Sequence, residues 1–354
     1  MSTAPTALQA ALKQVVDRND LGADEMTAAM SEIMAGSGSP VQVAAFLAAL
    51  RTKGETVTEI TAAAQVLRGL VQRVEIAAAP LLDIVGTGGD GASIFNVSTA
   101  AAFICAEAGA HVAKHGNRAV SSKSGAADVL EAAGVRLDLD VAGVAQLVTE
   151  LRVGFLFAPN HHPAMRHAAP IRRELGLRTL FNLLGPLTNP AFAPCQLLGV
   201  YARHWVRPLA EVMRALGSHS VLVVHAADGL DEISIAAPTY VAELHAGEVR
   251  EYTITPEQFG LERQSLVPLQ VQSAAESLTL IEATLGGQPG TAADVLALNA
   301  GAALYVTRRA DSLGAGVAQA HAILATGAAR ERLHVFAARS RQLAAAATAS
   351  RVCT

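Results

Sequence analysis

Charged residues make up only 16% of this 354-residue chain and aromatic residues 4%, and there are only three cysteines. Each scarcity excludes something. A net charge of −4 offers no basic face to a phosphate backbone, so no nucleic-acid partner is expected. Cys105, Cys195 and Cys353 show no paired spacing and leave one over, which points to free thiols in a reducing compartment and against a zinc site. No apolar run reaches the roughly 18–20 residues of a membrane span. Even the run from Ala100 to Ala113 is interrupted by Glu107 and His111, so no membrane partner is expected. The first residues lack the basic start and apolar core of a secretion signal, and the expected location is the cytoplasm. Neither G-x-S-x-G nor a P-loop occurs, and no cysteine has an evident activating partner, so covalent catalysis has no support.

What is plentiful is alanine and other apolar residues, 51% in all, the composition of a well-buried, helix-rich globular protein. The length favours two domains. From Thr6 to Gln72 the spacing is helical, as in Leu8, Leu12 and Val15 and again in Phe46, Leu47 and Leu50. A break at Gly36 to Pro40 supplies Ser39 as an N-cap and Pro40 as a first helical residue, and another helix is predicted from Thr58 to Val71. After the linker Ala77 to Pro80 the pattern changes. Short apolar runs at 81–85, 110–113, 153–157, 195–200, 220–225, 234–235 and 239–244 read as strands, alternating with helices near 127–133, 291–306 and 316–326. This predicts an α/β protein: a small all-helical domain plus a large α/β domain with a mainly parallel central sheet and surrounding helices. The arginine-rich helical stretch 163–184 interrupts the sheet pattern and is expected to return to the helical part. The expected division is 1–76, joined by part of 163–186, against 77–162 and 187–354.

The chemistry is concentrated in 82–131. Gly86-Thr87-Gly88-Gly89-Asp90-Gly91 follows a strand and formally matches the dinucleotide fingerprint G-x-G-x-x-G. The acid that fingerprint wants some twenty residues on would be Glu107, which falls inside a helix. Asp90 also sits poorly beside a bare pyrophosphate unless a metal or hydroxyl intervenes. Four glycines in one turn instead suit backbone N–H groups approached by an anion. Asn96, Ser98 and Thr99 open the next helix, where N–H groups and hydroxyls can hold phosphate oxygens or Mg²⁺, or simply cap. Lys114-His115-Gly116-Asn117-Arg118 adds two cations at a strand end. Asp228-Gly229-Leu230-Asp231-Glu232 is either an acidic surface turn or a source of hard oxygen ligands for Mg²⁺ shared with phosphates. His161, His162 and His167 lack helical zinc spacing and read as structural or solvated. Arg172, Arg173 and Arg178 form either a solvated helix face or a carboxylate grip.

Taken together and in order over nearly the whole chain, these motifs resemble the anthranilate phosphoribosyltransferases of tryptophan biosynthesis. The resemblance implies transfer of the phosphoribosyl group of phosphoribosyl pyrophosphate to the amine of anthranilate. It implies two Mg²⁺ ions, a homodimer, and an active site between the two domains. It places the donor on Gly86, Gly89, Asp90, Asn96, Val97, Ser98 and Thr99, on the run Lys114, His115, Gly116, Asn117, Arg118, Ala119, Val120, Ser121 and Ser122, and on Ala126. Gly86, Asn117 and Arg172 would meet anthranilate, and Ser98, Asp231 and Glu232 the metal. No general base is assigned; His115 is the one candidate. Ile94 stands where the family commonly has threonine, and Ala126 where a serine often follows Ser-Gly. Two rivals are a pyrimidine nucleoside phosphorylase-like enzyme, against which Asp231 and Glu232 argue, and a non-catalytic nucleic-acid-binding relative, against which the glycine turn and acidic charge argue.

Overall fold

Local signals start the helices. In the computed structural model, which describes residues 5–119 and 123–352 with the side chains of 350–352 left out, Thr6 caps α1 (Ala7–Val16) through a reciprocal bond with Gln9. α2 (Ala23–Met34) follows, and Ser39 caps α3 (Pro40–Lys53) by accepting the Gln42 N–H, with Pro40 at the first helical position as predicted. Thr56 and Glu59 form the cap of α4 (Val57–Leu70). Glu59 is fully buried there, taking the N–H groups of Leu21 and Thr56 and an ion pair from Lys53, so its charge is satisfied on every side.

The α/β part then runs β1 (Leu81–Gly86), α5 (Val97–Glu107), β2 (His111–Gly116), α6 (Ala126–Ala132), α7 (Val141–Leu151) and β3 (Val153–Phe157). α8 (Ala158–His161), α9 (Ala169–Leu175) and α10 (Phe181–Leu187) lead back to β4 (Cys195–Gly199), α11 (Val206–Ala215), β5 (Ser220–Ala226), β6 (Thr239–His245) and β7 (Glu248–Ile254). Four helices close the chain: α12 (Ala274–Leu285), α13 (Thr291–Val306), α14 (Leu313–Thr326) and α15 (Ala328–Val352).

The seven strands lie in the order β3-β2-β1-β4-β5-β6-β7, parallel from β3 to β5 and antiparallel at β6 and β7. One apolar cluster fills the face covered by α5, α7, α13 and α15. The other joins Phe46, Leu47 and Ile60 of the small domain to Leu184 of α10, Leu209 of α11 and Val221 and Val223 of β5. The returning segment therefore packs with the small helices: α9 lies on α3, and α10 on α4.

One expected strand is absent and one strand was not expected. Residues 234–235 are not a strand. Ser234 instead folds a turn, its Oγ donating to Asp228 Oδ2 at 2.5 Å and accepting the Ala236 N–H. β7 carried no sequence signal that stood out, because Glu248, Arg250 and Glu251 are exposed on an edge strand. Its hairpin with β6 turns through Ala246 and Gly247, both at positive φ.

Candidate active site

In a sheet of this order, the chain leaves β1 toward one side and β4 toward the other, so a crevice opens beyond their carboxyl ends. The last residues of those strands, Gly86 and Gly199, are register partners. Their missing side chains decide what can lie there. A Cβ on Gly199 would stand 1.6 Å from the Asp231 carbonyl oxygen, and one on Gly86 would stand 2.4 Å from Asp231 Oδ2. The paired glycines thus let the acidic turn after β5 lie across the strand ends and meet the glycine turn after β1.

The contact is direct, since the Gly88 N–H donates to Asp231 Oδ2 at 2.6 Å. The Thr87 N–H donates to the Gly199 carbonyl, and Thr87 Oγ1 accepts the Tyr201 N–H at 3.0 Å, so the turn is tied to β4. Beyond it Gly88, Gly89 and Gly91 all have positive φ. Among the described residues no acceptor takes the N–H of Gly89, Asp90 or Gly91. Three free donors in one turn form an anion cradle.

Opposite charges surround it. Burial, then the Asp90 charge, push the Asp231 carboxyl up to about 7, although the Gly88 N–H favours its ionised form. Burial and Asp231 hold Glu232 well above the usual carboxylate range, with the Lys114 charge and then the Ser98 N–H opposing. Lys114 is buried in β2, its Nζ donating to the Ile84 carbonyl at 2.5 Å and to Ser98 Oγ at 3.2 Å. Burial lowers its pKa, and Asp83, Glu232 and Asp231 oppose that. These carboxylates favour a cation near them, and their oxygen donors suit Mg²⁺. No group of three or more His, Cys, Asp and Glu able to hold a metal occurs among the described residues, so such an ion would share the oxygens of a bound phosphate.

On the other face of β2, His115 is buried with Nδ1 3.2 Å from the Gly185 carbonyl and Nε2 3.2 Å from His162 Nε2. A carbonyl only accepts, so Nδ1 carries the proton and Nε2 accepts from His162. Burial first, then His162 and His161, hold its pKa well below the usual value. His115 is a neutral imidazole with both nitrogens engaged.

The other expected site residues are distributed as follows. Asn96 precedes α5, where its side chain is bonded to Ser124 and Ser277. Val97 is core, and Thr99 is buried with an unpartnered Oγ1. Gly116 ends β2 against the Phe155 ring. Asn117 is exposed and its Oδ1 accepts the Arg118 N–H. Arg118 turns outward to Asp128 and Glu131 and over the Phe157 ring, while the Ala119 N–H donates to Asp128. Ala126 starts α6. Val120, Ser121 and Ser122 lie outside the described residues. Arg172, on α9, is half-buried over the Phe181 ring at 5.2 Å, and no carboxylate among the described residues pairs with it. No hydrogen bond among the described residues links it to Gly86 or Asn117.

Sequence reading passed over several participants. Asp83 is fully buried in β1, accepts the His115 N–H at 3.0 Å, and is pushed up to about 6 by burial against the Lys114 charge. Its signal was visible as a lone acid in Leu-Leu-Asp-Ile-Val. Gly199 and Ser277 carried none, because their importance depends on partners far away in the chain, and His162, expected to be structural or solvated, proves to be a structural partner of His115.

Comparison with known proteins identifies the family. Residues 9–70 match the family described as "Glycosyl transferase family, helical bundle domain", and residues 78–330 match "Glycosyl transferase family, a/b domain". The anthranilate phosphoribosyltransferase of Alkalilimnicola ehrlichii is 57% identical over 336 residues, covering 95% of this chain and 99% of that one. The crystal structure of the Thermus thermophilus enzyme of the same name is 44% identical with a TM-score of 0.89, covering 94% of this chain and 99% of its own. The Saccharomyces cerevisiae enzyme in complex with PRPP and Mg is 27% identical with a TM-score of 0.86, covering 95% and 98%. The chain belongs to the anthranilate phosphoribosyltransferase family.

Proposed function

We propose that this chain transfers the phosphoribosyl group of phosphoribosyl pyrophosphate to the amine of anthranilate, giving N-(5-phosphoribosyl)anthranilate and pyrophosphate, as a step of L-tryptophan biosynthesis. The observation that carries the reading is the meeting, at the β1/β4 switch point, of a glycine turn with free N–H groups, a buried lysine and the acidic pair Asp231-Glu232. That combination suits a pyrophosphate and its cations better than a bare dinucleotide.

In this reading the free N–H groups of the 86–91 turn hold the pyrophosphate, and Lys114 stabilises negative charge growing on it as it leaves. Asn96, Ser98, Thr99 and Lys114 complete the donor pocket, with Gly86 shared between the substrates, whereas Arg118 turns away to Asp128 and Glu131. Two Mg²⁺ ions, held by Ser98 and by Asp231 with Glu232, would supply Lewis-acid neutralisation of the leaving group. Arg172 faces the anthranilate carboxylate through two parallel hydrogen bonds, and Asn117 meets the same substrate. The aromatic amine is already a nucleophile, so the protein's task is to hold it near C1 of the ribose as that carbon gains oxocarbenium character. His115 serves as a positioning group, since both its nitrogens are bonded.

Mixing the protein with anthranilate and phosphoribosyl pyrophosphate should consume anthranilate fluorescence only when Mg²⁺ is present. No loss of signal sinks the reading. Asp231→Asn with Glu232→Gln should cut Mg²⁺-dependent turnover by about 100-fold and raise the Mg²⁺ needed for half-maximal rate. Unchanged metal dependence would remove both residues from the site. The reading extends, on family resemblance alone, to a cytoplasmic homodimer, and sedimentation at a monomer's mass would contradict the dimer.

A further inference from the structure

Arg178 lies between α9 and α10 and belongs to neither substrate's set of contacts described above. Its guanidinium crosses to the other domain. Nη2 donates to the Gly89 carbonyl, and the planar group stacks on the Tyr201 ring at 4.6 Å from the centroid. The Arg178 carbonyl accepts in turn from Arg51 on α3. Gly89 has no Cβ to hold the guanidinium off: one there would stand 3.0 Å from Nη2 and 3.2 Å from Nε. Tyr201 gives its own N–H to Thr87, so the stacking partner and the turn are parts of one assembly. No carboxylate among the described residues pairs with Arg178.

The peptide joining Gly89 to Asp90 is planar, so fixing the Gly89 carbonyl also fixes the Asp90 N–H, which points the opposite way. That N–H is one of the three free donors of the cradle. We propose that Arg178 is a positioning residue for the phosphoribosyl donor: it orients the Gly89–Asp90 peptide, and so ties the anion cradle to the helical side of the molecule. The inference rests on the function proposed above. It requires a fork that bonds and stacks at once, which a lysine cannot supply.

The test is steady-state kinetics of the full-length wild type, Arg178→Ala and Arg178→Lys, with the thermal midpoint of each. Arg178→Ala should raise the KM for phosphoribosyl pyrophosphate about tenfold while the KM for anthranilate and the midpoint stay put, and Arg178→Lys should match it. If lysine restores the wild-type KM, the side chain acts by charge on the ligand, and the proposal falls. It falls equally if both variants keep the wild-type donor KM, if the anthranilate KM moves instead, or if both constants shift together with a lowered midpoint. A wild type that turns over nothing removes the parent reading and this one with it, whereas an active wild type with indifferent variants removes this one alone.

Discussion

A half-buried guanidinium over a phenyl ring, with no carboxylate paired to it among the described residues, is the state of Arg172, and burial lowers its pKa. On the proposed function, Arg172→Ala should raise the KM for anthranilate by about 10- to 100-fold and leave that for phosphoribosyl pyrophosphate within about twofold. Equal effects on both constants would contradict the assignment. His162 gives a pH signature. Burial, then His161, lower its pKa from 6.5 to about 4. Above 6.5 the imidazole is neutral in both folded and unfolded chains; between 6.5 and about 4 the unfolded chain binds a proton that the folded one does not. Its contribution to stability is therefore present above 6.5 and is lost as pH falls through that window. His162→Gln, which can still donate to His115, should unfold at a urea midpoint that falls less between pH 7 and pH 5 than the wild type's. Parallel pH profiles would show that His162 does not carry the effect.

Among the elements, the junction of β1, β4 and the 228–232 turn has the least tolerance. Gly199→Ala places a methyl 1.6 Å from a backbone carbonyl, which no rotamer relieves. It should cost about 3 kcal/mol or more of stability and displace Asp231, so that Mg²⁺-dependent turnover falls with it. Urea unfolding and the fluorescence assay read the two effects separately, and a variant of wild-type stability would mean that the close approach is relaxed in solution. The same scale separates what the sequence shows from what it hides. Ser39 with Pro40, and the extent of α13, were readable because caps and the 3.6-residue period operate within a few residues. The strand from His111 was expected to start and stop earlier, at 110–113; in the structure it runs on through Lys114 and His115, whose side chains reach Ser98 on one face and Gly185 on the other. β7 stayed hidden because Glu248, Arg250, Glu251 and Thr253 are exposed and only Ile254 is buried, which leaves too little apolar alternation to give a pattern.

At the scale of the whole molecule, the small domain is not a separate globule. Its core continues through α10 and α11 onto one face of the sheet. Arg68 of α4 pins that junction: Nε donates to the Leu187 carbonyl at 2.7 Å and Nη1 to the Leu216 carbonyl at 3.2 Å, with the Phe192 ring 5.6 Å away. Burial lowers its pKa to about 10. Arg68→Ala should cost about 2 kcal/mol, because two carbonyls lose a charged donor. An unchanged urea midpoint would show that water replaces it freely.

The division of labour between sequence and tertiary structure follows from the range of the forces. Residue types and short spacings by themselves determined the capped helices, the α/β alternation, the glycine turn and the acidic pair, since these depend on backbone propensity and on chemistry within one motif. They did not determine that Gly86 and Gly199 would be register partners, that Asp231 would reach the Gly88 N–H across 143 positions, or that His162 would close on His115. Strand order and register come from burying both faces of one sheet at once, a condition on the whole chain that no local window contains.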